Sequence, residues 1–148
     1  MRRIGRGFPQ LVLISLLVPT LAGFVLHGFT AAGAVRGLVW GGLVRIFVVH
    51  HITWSVNSVC HFFGGRRFDL EDQSTNVAWL AVPSLGEAWH HNHHAFPRSA
   101  AHGLRWYEVD LSALLIRGLE KLGLAWGVVR ITPERQAEKT VTQPRVPA

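Results

Sequence analysis

Four of the nine histidines of this sequence crowd the stretch Glu87-Ala88-Trp89-His90-His91-Asn92-His93-His94. On a helix turning about 100° per residue, His90, His93 and His94 project at roughly 0°, 300° and 40°, so they share a face and His91 lies further round. Three imidazoles at that density are not all protonated cheaply, and a neutral imidazole offers a lone pair. A metal ion is their natural partner. The group sits among tryptophan, glycine and proline rather than in a polar tail, which argues against a merely solvated histidine patch.

A second set lies upstream, in His50-His51-Ile52-Thr53-Trp54-Ser55-Val56-Asn57-Ser58-Val59-Cys60-His61. His50, Trp54, Asn57 and His61 follow one another at i, i+4, i+7 and i+11 and so share a helix face. A polar stripe on a membrane helix is costly unless it faces a site or the protein interior. A stripe that only ties helices together is the plainer alternative. Asn57 and His61 read as site residues, whereas His50 lies about 16 Å farther along the helix and cannot reach the same ion as His61. Zinc accepts three histidines plus water. Iron also suits imidazole and opens oxygen chemistry. Haem between paired membrane histidines fits less well, because these histidines lie at helix ends and in the polar part. The residues themselves leave iron and zinc open.

The elements that must position these groups are written in the hydropathy. Hydrophobic residues make up 49% of the 148, crowd the first 65 positions and nearly vanish from the last 17. The net charge of +6 comes from arginines that bracket the apolar stretches, Arg2, Arg3 and Arg6 before and Arg66 and Arg67 after. They form no stripe with aromatics, so nucleic acid is not the expected partner; they read as anchors on the cytoplasmic side of a membrane. The early apolar run is too long for a signal peptide and has no cleavage site before a soluble domain. One cysteine, Cys60, excludes an internal disulfide.

The expected organisation is an all-α membrane protein: a transmembrane helical hairpin followed by a cytosolic helical cap. Residues 1–7 form a cytosolic N-terminus, and 8–64 the hairpin, with helices over about 8–30 and 35–64. Pro19 should kink the first of these. Residues 65–131 form the cap. Within it a helix starting near Ser84 carries Glu87 to His94, and an amphipathic helix runs from about Asp110 to Gly123 with Leu111, Leu114, Leu115, Leu119 and Leu122 on one side. Residues 132–148, polar and with three prolines, are expected to be a disordered tail.

The segments Asn57-Ser-Val-Cys-His61-Phe-Phe-Gly64 and Leu85-Gly86-Glu87-Ala-Trp89-His90-His-Asn-His93-His94-Ala-Phe96-Pro97 resemble the membrane fatty acid desaturases, specifically the acyl-CoA (delta-9, stearoyl-CoA) desaturase family. The likeness runs from about Phe8 to Arg130 and covers that family's C-terminal portion. It implies a di-iron centre in the cytosolic cap, with His61, His90, His93 and His94 matching iron ligands and Asn57 matching the position that holds iron through a water. It implies an enzyme that introduces a cis double bond into a fatty acyl thioester or lipid, using O2 and electrons from a carrier such as cytochrome b5 or ferredoxin. No catalytic side chain beyond the metal ligands is implied. Ala88 and His91 depart from the pattern, which has glycine and asparagine there. The pattern also places two further boxes, an H-x-x-x-x-H and another H-x-x-H-H, ahead of the hairpin, and these 148 residues contain neither. The iron centre is therefore expected to be incomplete in this chain, which by itself should be inactive. Other readings are a non-catalytic desaturase remnant, or a zinc-binding membrane protein using His90, His93 and His94.

Overall fold

The computed structural model describes residues 2–140, and among them every regular element is helical. The chain divides into two units, the first running to His51 and the second starting at Ile52.

In the first unit, α1 (Arg2–Leu26) turns at Gly28 and Phe29, both with positive φ, into a second long helix. That helix starts as α2 (Ala31–Arg36), capped by Thr30, whose side chain accepts from the Gly33 N–H. It continues through a π-helical stretch, Gly37–Val44, into α3 (Arg45–Val59). Both helices are long and apolar enough to cross a bilayer, with 18-residue windows of mean hydropathy 2.0 within Gly7–Leu26 and 1.6 within Ala31–Val59. A core helix of a soluble protein would bury most of such a span, yet only 6% and 11% of these are buried. The apolar surface faces outward, as it does in lipid.

The hairpin closes on glycine. A Cβ on Gly37 would stand 2.1 Å from the Pro19 carbonyl oxygen, and one on Gly23 would stand 2.4 Å from that of Gly33. In lipid no hydrophobic force draws helices together, so close backbone approach through small residues supplies the packing. Pro19 has a second role here. Lacking an N–H, it leaves the Ser15 carbonyl without its helical donor. Arg45 fills that place, its Nη2 donating to Ser15 O at 3.0 Å and its Nε to Gly41 O at 2.7 Å. An apolar helix thereby carries a guanidinium with two of its donors met by backbone.

The second unit is built of short helices and turns. The long helix stops at Val59, short of the Gly64 expected from sequence, because the chain turns at residues 60–63 and Cys60 plunges into the core. That core joins Val56, Cys60, Val77, Leu80, Ala81, Ala88 and Trp89, and includes part of α4 (Ala78–Ala81). A second small core joins Phe68, Ala95 and Phe96. Between them lies α5 (His90–Ala95), pinned at one end by Trp89 and at the other by Ala95 and Phe96. The helix expected from Ser84 begins only at His90. Leu85 at φ 57° and Gly86 at φ 109° break helical geometry, and Glu87 lies in the turn instead.

α6 (Leu111–Lys121) forms as expected, with the Asp110 side chain accepting from the Ala113 N–H at 2.8 Å. Its leucine stripe is not core within the described residues: Leu111, Leu114 and Leu115 are exposed and only Ala113 is buried. The expectation of a disordered tail from residue 132 is corrected at its start. Thr132-Pro133-Glu134 is an N-cap, a proline in the first turn and an acid beside the helix N-terminus, and it starts α7 (Pro133–Lys139). α7 is docked: Lys139 Nζ donates to Ala95 O at 2.7 Å, and the Lys139 carbonyl accepts from Asp69 N–H at 2.9 Å. Residues 141–148 lie outside the described part.

Candidate metal centre

Three imidazoles converge in the second unit. His61 reaches in from the turn after α3, and His90 and His94 lie one helical turn apart on α5. The His61 and His94 Nε2 atoms each lie 3.1 Å from His90 Nε2. One ligand atom from each of the three residues lies within 4.8 Å of the others. Two nitrogens bound tetrahedrally at about 2.0–2.1 Å from one ion stand about 3.3 Å apart, so the spacing fits one transition metal held by imidazole.

The electrostatics agree. Burial, then the neighbouring His94 and His61 imidazoles, push the His90 pKa down to about 4. His90 is therefore neutral near pH 7, with a lone pair to give. Asp72 is raised by partial burial, but hydrogen bonds from the Ser74 hydroxyl and N–H and from His94 outweigh this and hold it well below the usual carboxylate range. Its Oδ2 lies 2.8 Å from His94 Nδ1.

The four histidines expected as ligands are thus placed unequally. His93 shares the short helix, yet its ring is 5.8 Å from that of His94 and 6.1 Å from that of His90, centroid to centroid. It packs instead against His102, at 4.5 Å, and its Nδ1 is buried without a hydrogen-bond partner. His102 in turn has Nδ1 3.7 Å from Glu87 Oε2. Burial and the adjacent imidazoles of His102 and His94 lower the His93 pKa. Asn57 is exposed, and its Nδ2 donates to Thr53 O at 2.9 Å one turn back. The shared helix face drawn through His50 and His61 is corrected by the turn at residues 60–63, which takes His61 off the helix. His50 Nδ1 faces Ile46 O at 2.8 Å within its own helix.

Several positioning residues carried no signal in the sequence. Asn92, 1% exposed, donates to Glu108 Oε2 and to the His102 carbonyl, both at 2.8 Å, and accepts from Asn76 Nδ2 at 2.8 Å. Buried Glu108 pairs with Arg67 at 3.4 Å and accepts from the N–H groups of Leu104 and Arg105. This polar frame holds the middle of α5 against the loop at residues 102–105. His102 is a lone histidine eight residues beyond the box, and only folding brings it to His93.

No family model matches the chain. Curated relatives do. It is 50% identical over 126 residues to the hex-5-enoyl-[acyl-carrier protein] acetylenase of Moorena producens (strain JHB), a match covering 85% of this chain and 39% of the relative. It is 54% identical over 91 residues to the sn-1 stearoyl-lipid 9-desaturase of Anabaena variabilis, covering 62% of this chain and 34% of the relative. It is 41% identical over 132 residues to the icosanoyl-CoA 5-desaturase of Limnanthes douglasii, covering 89% of this chain and 33% of the relative. The chain belongs to the fatty acid desaturase family, and spans about a third of the length of the relatives it matches.

Proposed function

We propose that this chain contributes part of the iron centre of an O2-dependent desaturase that places a cis double bond in an acyl chain. The observation that carries the proposal is the convergence of His61, His90 and His94, with ligand atoms within 4.8 Å of one another. These three would hold one ion. His93, with its buried unpartnered Nδ1, and Asn57, through a water, would serve the same di-iron centre. The remaining ligands would come from the two other histidine boxes of the family pattern, which lie outside these 148 residues. Iron held there would supply the oxidising power that removal of hydrogen from unactivated C–H bonds demands. The chain's own part is to keep imidazoles neutral, partly buried and aimed at one point. Substrate carrier differs among the relatives, whose names specify acyl carrier protein, lipid and CoA, so the substrate class here is a fatty acyl thioester or lipid. Electrons would come from a small carrier such as cytochrome b5 or ferredoxin, with the histidine-bearing unit on the cytoplasmic side.

The test is co-expression in a host lacking the activity. We expect no new unsaturation from this chain alone, and a raised unsaturated-to-saturated acyl ratio when a segment bearing both other boxes is supplied. His94→Ala should abolish that product. Full activity in His94→Ala would overturn the assignment, and zinc without iron in the purified complex would favour a zinc-binding membrane protein.

A further inference from the structure

A continuous hydrogen-bonded chain leads from the backbone of Phe68 to His94. The Phe68 N–H can only donate, and it points to His91 Nε2 at 2.9 Å. His91 is fully buried and its ring lies stacked on that of Phe68. With Nε2 accepting, the ring proton must be on Nδ1, which donates to Ser74 Oγ at 3.1 Å. Ser74, having accepted there, turns its hydroxyl hydrogen to Asp72 Oδ1. The same oxygen accepts the Ser74 N–H at 2.8 Å and stands 3.9 Å from Arg66 Nη1. Asp72 Oδ2 is left for His94 Nδ1 at 2.8 Å. A carboxylate only accepts, so His94 carries its proton on Nδ1 and presents the Nε2 lone pair toward His61 and His90.

We propose that Asp72, Ser74 and His91 are positioning residues that hold His94 in the one tautomer able to bind metal through Nε2. This rests on the metal-centre reading above. Asp72 sets the tautomer, Ser74 fixes the carboxylate, and His91 fixes Ser74 from the buried side. Metal-binding histidines commonly owe their orientation to such outer partners. The relay also explains how His91 is accommodated where the family pattern has asparagine. An asparagine amide reaches only the place of the nearer ring nitrogen, so it keeps the donation to Ser74 and gives up Phe68.

The experiment uses the full chain in detergent micelles, with Co2+ as the probe and 15N-labelled histidine. In the metal-free wild type at pH 8, nitrogen NMR should find the His94 proton on Nδ1. In Asp72→Asn the Ser74 donors still pin an oxygen at the Oδ1 position, so the amide nitrogen faces His94 Nδ1 and compels it to accept. The proton then moves to Nε2, and Co2+ affinity by chelator competition falls about 10- to 100-fold. Ser74→Ala, which deletes one hydroxyl at little risk to the fold, should give a smaller loss in the same direction. His91→Asn should keep the wild-type tautomer and affinity, whereas His91→Leu should weaken binding. An unchanged His94 tautomer in Asp72→Asn overturns the relay, as does an unchanged Co2+ affinity in that variant where the wild type binds Co2+ through His94. If the wild type binds no Co2+, or His94→Ala binds it equally well, the metal-centre reading fails. The tautomer of the metal-free chain then decides the relay by itself.

Discussion

His90 stands between His61 and His94, and it carries the clearest pH signature of the molecule. Burial and the two neighbouring imidazoles lower its folded pKa to about 4, against about 6.5 for an unfolded histidine. Between those values the unfolded chain binds more protons, so stability is present above about 6.5 and is lost as pH falls toward 4. The metal-free chain should therefore unfold at a lower temperature at pH 5 than at pH 7.5. Equal midpoints would show that His90 is not held neutral. Asp72, with its depressed carboxyl, contributes across that whole window and fails only at lower pH. At this scale His90 and His94 were legible together, because residue type and short spacing already put their lone pairs on one face, whereas His61, 29 residues away from His90, was tied to them only by the family resemblance. The turn of His93 toward His102 was not, since it depends on a loop whose position is set by Glu108 and Asp110.

Among the elements, the hairpin depends on what its glycines leave out. Gly42 lies against Leu16, a Cβ at 42 falling 4.0 Å from the Leu16 Cα, so cysteines placed by Leu16→Cys and Gly42→Cys should cross-link readily. Adding Gly37→Leu, whose Cβ would meet the Pro19 carbonyl at 2.1 Å, should force the helices apart and remove most of that cross-link. Undiminished cross-linking in the triple variant would refute glycine-mediated packing. The two spans were readable from hydropathy alone, because each needs only length and composition. Their ends were harder to place. α5 shrank to six residues because Leu85 and Gly86 adopt positive φ, which no hydropathy pattern reports. α7 did have a signal in Thr132-Pro133-Glu134, but the polar composition around it pointed to disorder.

For the molecule as a whole, the arginines on either side of the hairpin make a directional statement. Arg2, Arg3 and Arg6 precede it and Arg66 and Arg67 follow it, so the excess of arginine predicts a cytoplasmic position for both flanks. Reporters fused after Arg6 and after Gly65 should read cytoplasmic, and one inserted near Ala32 should read external. An external signal from the Gly65 fusion would rule out the hairpin topology. A cytoplasmic histidine unit is also what a soluble electron carrier would require, which ties this measurement to the proposed function.

By itself the sequence determined that the chain is helical, that two segments can cross a membrane, and that His90, His93 and His94 share a short stretch. These follow from composition and from periods of a few residues, which a linear reading captures. Only the family resemblance joined His61 to those three histidines. Tertiary structure decided which histidines share a point in space and what holds them there. The contacts responsible, His61 to His90, Asp72 to His94, Phe68 to His91 and Lys139 to Ala95, each join residues more than 20 apart in sequence. Such pairs form only when turns at Gly86 and residues 60–63 close the chain on itself, and no local pattern encodes where those turns deliver it.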